Sequence, residues 1–151
     1  MSCDISAYAE RRAAGVWHAT QTFCNLQNYA LFGFLANVRN YSAIPTLVPP
    51  RGLPNDVSTV VAEHFGNHAG DAHSASWFTL DELTAFDYDA PVEDRRYTKQ
   101  VGPNSWNGGA TCEPGSGEMT TYRKLFNQRF FSDLDAMRNA GAERIVFWFR
   151  G

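Results

Sequence analysis

Arg144-Ile145-Val146-Phe147-Trp148-Phe149 is the stretch on which the fold reading turns. Its apolar residues run without a polar break and are β-branched or aromatic. Such a run is expected to form an interior strand buried on both faces. Cys3 to Glu10 reads differently. Cys3, Ile5, Ala7 and Ala9 fall on one side, and Asp4, Ser6, Tyr8 and Glu10 on the other. That period of two belongs to a half-buried strand. Ala14-Gly15 permits a turn, and Val16 to Phe23 reads as a second strand, giving an antiparallel hairpin.

Helices fill part of the remainder. Asn28 can cap a helix from Tyr29 to about Val38, apolar on nearly every side and therefore buried. Asp56 or Ser58 opens a second helix through Phe65, with Gly66 as its stop. Thr79 and Glu82 have capping-box spacing ahead of Leu80 to Phe86. Met119, Tyr122, Phe126, Phe130, Leu134 and Met137 recur at three- and four-residue steps, so 118–139 is expected to be helical, with Ser132 and Asp135 hinting at a restart and Gly141 ending it. Three segments read as loops: Arg39 to Asn55 with four prolines, Gly66 to Ser76, and Asp87 to Gly117 with three prolines and five glycines. The expected class is α+β, a single domain over 1–151. Its small, mainly antiparallel sheet includes both terminal strands, with helices packed on it.

Composition excludes several functions. The chain has 151 residues, 44% hydrophobic and 19% charged, which is a globular balance. A net charge of −3 argues against general nucleic-acid binding. No apolar stretch approaches the ~20 residues needed to cross a bilayer, so no membrane partner is expected. No secretory signal is visible. Cys3, Cys24 and Cys112 are widely spaced and read as reduced thiols of a cytoplasmic protein. There is no GxGxxG, Walker A, GxSxG or paired HxT/HxS pattern, which lowers the expectation of a dinucleotide oxidoreductase, a P-loop NTPase, an α/β hydrolase or a 2H-type phosphoesterase.

Two segments carry candidate chemistry. Eleven of the 13 cations are arginine, a planar donor fork suited to phosphate. Arg51 is held in a Pro-Pro-Arg-Gly-Leu-Pro frame whose prolines limit backbone freedom, so less entropy is lost on binding an anion. Arg39 and Tyr41 lie at the other end of that loop. The second segment, Asp71 to Trp77, offers an acid, an imidazole, two hydroxyls and an indole: Asp71, His73, Ser74, Ser76 and Trp77. A carboxylate suits a sugar hydroxyl and an indole suits a base. Asp4, on the first strand, is a further candidate ligand or a partner of Arg144 or Arg150. No resident cofactor is expected. A metal held by His64, His68, Asp71 and His73 is the alternative.

Several motifs together resemble a family. They are Met-Ser-Cys-Asp-Ile at the start, Arg39-Asn40, Pro50-Arg51-Gly52-Leu53-Pro54, Asp71-Ala-His73-Ser74-Ala-Ser76-Trp77 and the closing Arg144-Ile-Val-Phe-Trp-Phe. The chain is similar to a family of small, largely uncharacterised phage and prophage proteins. That family opens Cys-Asp-Ile-His and ends Phe-Trp-Phe-Asp-Asn; here Ser6 and Arg150-Gly151 stand in those places. The resemblance implies a phage setting inside a bacterial host and an anti-defence role.

The leading expectation is a binding protein that sequesters a small anionic nucleotide-like molecule. Arg39 and Arg51 would hold phosphate, Asp71 a sugar hydroxyl, and Trp77 or Tyr41 the base. A two-fold homo-oligomer would help enclose it. The alternatives are a hydrolase or phosphodiesterase, with His73 as general acid/base and Asp71 orienting it, and a module inhibiting a host protein.

Overall fold

The computed structural model describes residues 2–22 and 28–151. Its elements are β1 (Asp4–Ala13), β2 (Val16–Thr22), α1 (Tyr29–Ala36), α2 (Thr59–Asn67), β3 (Ala72–Thr79), α3 (Leu80–Ala85), β4 (Pro91–Asp94), β5 (Arg96–Gly102), β6 (Ser105–Ala110), β7 (Glu118–Thr121), α4 (Tyr122–Leu125), α5 (Gln128–Asn139) and β8 (Arg144–Arg150). This is an α+β fold whose main sheet is antiparallel, ordered β2-β1-β8-β3, and includes both terminal strands. Backbone contacts divide the chain into two compact units, one holding the main sheet with α2, α3 and α5, the other holding 28–47 and 87–127.

In the first unit β8 lies between β1 and β3, and six of its seven residues are buried. The unbroken apolar run follows from that position, since neither face meets water. Register sorts the side chains. Ile5, Ala7 and Ala9 lie opposite Phe149, Phe147 and Ile145, forming one apolar face. Asp4, Ser6, Tyr8 and Glu10 lie opposite Arg150, Trp148, Val146 and Arg144, forming the other. The hairpin turns at Ala14-Gly15, both with positive φ (52° and 77°). Its second strand is described to Thr22; Phe23 and Cys24 lie outside the described residues.

Helix α2 belongs to the polar-edged face. Val61 packs with Val146 and Trp148, flanked by Tyr8 and Phe65. Ser58 caps α2 by accepting from Val61 N, 3.3 Å. The helix is anchored by a buried carboxylate. Glu10 is fully buried and accepts from Arg144 Nε at 2.8 Å with one oxygen and from Ser58 N at 2.7 Å with the other. Arg144 also donates to Asp56, 3.1 Å, and stacks on the Trp17 ring at 3.7 Å. One ion pair therefore joins β1, β8 and the start of α2.

In the second unit α1 begins at Asn28, whose side chain accepts from Leu31 N, and ends at Asn37 in the left-handed region, φ 57°. Its residues from Ala30 to Ala36 are buried, as the all-round apolar pattern implies. Gly33 faces Asn40 so closely that a Cβ there would strike the Asn40 amide. That amide bonds both the N–H and the C=O of Ile44.

Four expectations are corrected. Helix α2 runs through Gly66 to Asn67 instead of stopping there. Residues 72–76 are strand, not loop, because β3 completes the hydrogen bonding of β8. The expected 87–117 loop holds β4 and a β5–β6 hairpin. Its glycines suit the hairpin: the Tyr97 ring lies over Gly109, a space that a Cβ would fill. The 118–139 helix is divided into β7, α4 and α5, with Phe126 extended (ψ 133°). Helices α4 and α5 each bury their own apolar side chains, so the three–four spacing persists across that break, whereas Met119 in β7 is exposed.

Replacing Glu10 by Ala leaves Arg144 without its buried partner and Ser58 N–H without its acceptor. The expected cost is about 3–5 kcal/mol, read by urea unfolding, whereas Glu143→Ala, at the surface, is expected to cost far less.

Candidate functional site

The two segments singled out in the sequence do meet. Pro50 to Pro54 runs beside β3, where Gly52 N donates to Ala75 O (2.8 Å) and Arg51 N to Ser76 Oγ (3.0 Å). Gly52 has φ +84°, which favours glycine. The strand bulges between His73 and Ser76, with Ser74 at φ 55°, and this turns Ala75 and Ser76 toward the loop. The Arg51 guanidinium stacks on the Trp77 ring, 4.6 Å to its centroid.

That guanidinium is already engaged. It grips Glu82 with two N–H groups, one at 2.8 Å to Oε1, and donates to Trp77 O at 3.1 Å. Asp56, a nearby surface acid in sequence, instead accepts from Arg144 and Trp17. Glu82 is also the capping-box acid of α3. The Arg51 hydrogen bond holds its carboxyl down at about 2 against an ordinary 4.5. Arg51 thus ties loop to helix. In the second unit, Arg39 donates to the Tyr41 hydroxyl at 3.0 Å, and Tyr41 packs edge-on against Tyr29.

His73 stacks on Phe149, its register partner, and bonds Ser74 Oγ (3.1 Å) and Gly151 O (3.2 Å). It therefore belongs to the Phe149 face. His64 and His68 belong to the Trp148 face, so the four proposed metal ligands do not gather. Among the described residues no three His, Cys, Asp or Glu side chains form a metal-holding group. Cys3 is buried and Cys112 is exposed.

A different cluster gathers on the Trp148 face. Because α2 is continuous, His64 and His68 stand one turn apart, ring centroids 4.4 Å. The Tyr8 hydroxyl lies 2.6 Å from His64 Nδ1. Trp148, fully buried, donates Nε1–H to His68 Nδ1 at 3.2 Å. Arg150 Nη1 stands 3.2 Å from His68 Nε2, and Arg150 Nε donates to Asp71 Oδ2 at 2.9 Å. Asp71 is placed by its own backbone, whose N–H bonds His68 O at 3.0 Å. Asp4 is the register partner of Arg150. Of the sequence candidates, then, His64, His68 and Asp71 belong to this cluster, and Asp4 lies beside it in register. Tyr8, Trp148 and Arg150 were missed, since only sheet register brings them to α2.

His68 is caught between two obligate donors. Indole and guanidinium N–H groups only donate, while a neutral imidazole accepts at one nitrogen alone. The buried indole has no water to turn to, so Nδ1 accepts its hydrogen bond and Nε2 carries the ring hydrogen. His68 Nε2–H and Arg150 Nη1–H then stand side by side, two donors suited to one oxygen acceptor. Burial first, then the neighbouring His68 and Arg150, push the His64 imidazole below its ordinary value.

Comparison with protein-family models, with curated proteins and with solved structures finds no match for the chain. Among the described residues no helix is long and apolar enough to cross a membrane.

Because Glu82 is depressed in the folded chain, its contribution is fully present above about pH 4.5 and is lost as pH falls toward 2. Unfolding free energies of the parent chain and Glu82→Gln are expected to differ most above that range and to converge below it.

Proposed function

We propose that the protein binds an anionic, nucleotide-like small molecule on the Trp148 face. A phosphate or carboxylate oxygen accepts from Arg150 and His68 Nε2–H. Asp71 keeps Oδ2 on Arg150 and offers Oδ1 to a sugar hydroxyl. The observation that carries this reading is the His68 ring held between the Trp148 and Arg150 donors, 3.2 Å from each. An oxyanion relieves that conflict, because charge-assisted bonds to both N–H groups replace a donor–donor contact. This moves the anion site away from Arg51, whose guanidinium is engaged by Glu82. Capture of a nucleotide-derived immune signal by a phage-type anti-defence protein is the role that the family resemblance adds.

A second reading is hydrolysis of the same ligand class, favoured by the Tyr8 hydroxyl 2.6 Å from His64 Nδ1. With His64 pushed toward its neutral form, that pair is suited to move a proton beside a bound phosphoryl group.

Calorimetric titration with inorganic phosphate, AMP, ADP-ribose and cyclic dinucleotides tests both readings. At least one member is expected to bind with Kd below about 10 μM. Arg150→Gln is expected to weaken that binding by about 10-fold or more. Melting temperature should hardly move, because the Arg150–Asp71 bridge is exposed. Arg51→Gln is expected to leave affinity unchanged. Intact ligand recovered after heating means capture, and altered ligand means hydrolysis. Failure of the whole panel to bind near ~1 mM overturns the proposal.

A further inference from the structure

At the far end of the same sheet, the β3–α3 corner and the start of β8 enclose a hollow of about 480 Å³. Trp17 and Trp77 line it, together with the acids Asp81 and Glu143 and the paired Arg144. That volume suits one small organic group. The ligand chemistry follows from what the indoles already do. Trp17 carries the Arg144 guanidinium at 3.7 Å and that of Arg12 at 6.0 Å, and Trp77 carries Arg51 at 4.6 Å. Indole faces attract cations through the ring quadrupole, and the attraction grows when the cation is desolvated.

Charge points the same way. Arg144 is neutralised by Glu10 and Asp56, and Arg51 by Glu82. Among the described residues the Glu143 carboxylate bonds only the Arg12 backbone N–H, which donates to Oε2 at 2.7 Å. The Asp81 carboxylate has no hydrogen bond or ion pair among the described residues. Against the five carboxylates of Glu10, Asp56, Glu82, Asp81 and Glu143 stand the three guanidiniums of Arg144, Arg51 and Arg12, so the local balance is negative and an anion is disfavoured here.

We infer that the hollow between Trp17 and Trp77 is a second binding site, taking an organic cation with a guanidinium or alkylammonium head. The head lies against the indoles and its N–H groups bond Asp81 and Glu143 Oε1. This site stands apart from the anion site, and neither reading depends on the other.

The test is an NMR titration of the full chain with agmatine and with tetramethylammonium, following the indole N–H signals of Trp17, Trp77, Trp106 and Trp148. Trp17 and Trp77 are expected to shift together and saturably with agmatine, with Kd at or below about 1 mM, while Trp106 and Trp148 stay in place. Tetramethylammonium, which cannot donate to the carboxylates, is expected to bind more weakly. Asp81→Asn and Glu143→Gln are each expected to reduce agmatine affinity by about 5-fold or more, with other amide signals unmoved. Absence of a saturable shift by about 10 mM, shifts confined to Trp148, unchanged affinity in both variants, or stronger binding of phosphate at these indoles would each overturn the inference.

Discussion

The buried carboxylate of Glu10 is the constraint on which the first unit depends. A charge with no exposure to water survives only when each oxygen is paired. Here one oxygen is held by Arg144 and the other by the Ser58 N–H. These two bonds connect the first strand, the last strand and the start of α2. Geometry, more than net energy, is what such a pair supplies. A hydrophobic substitute of similar size would pack without fixing where α2 begins. The buried pair sets that point, and with it the height at which His64 and His68 meet the sheet.

From that anchor the polar face follows in order. Helix α2 runs over β8 from Val146 to Trp148, burying Val61 against both. Its last turn delivers His68 to the Trp148 indole, and the helix end returns the chain to β3 through the His68 carbonyl, which accepts from Asp71 and Ala72. Asp71 is thereby set beside Arg150. A side chain that can accept only once thus faces two donors, which makes this end of the face suited to an oxygen ligand. The opposite end has the reverse character, because the guanidiniums there are already paired and stacked while the acids Asp81 and Glu143 line the hollow.

Much of the fold was legible in the sequence. Alternation in Cys3–Glu10 identified β1, the unbroken 145–149 run identified an interior strand, and Thr79 with Glu82 identified the capping box of α3. Each signal comes from residues two to four positions apart, the range over which backbone geometry acts. The 72–76 segment was not legible as strand. Its bulge at Ser74-Ala75 breaks the alternation on which the reading relies, and its partner β8 lies some seventy positions away. The β5–β6 hairpin within 87–117 was hidden for a related reason, since the glycines and prolines of that segment mark turns as readily as loops.

The sequence by itself determined the α+β class, the two terminal strands, the caps and the residue types from which a site could be built. It also singled out the Pro-Arg-Gly-Leu-Pro loop and the Asp71–Trp77 segment, which do lie together. Only the tertiary structure decided the partners: Arg51 on Glu82, His73 on the Phe149 face, and His68 between Trp148 and Arg150. A side chain's hydrogen-bond partner is fixed by strand register and helix placement between distant segments. Those relations arise when the core closes, so no local pattern records them.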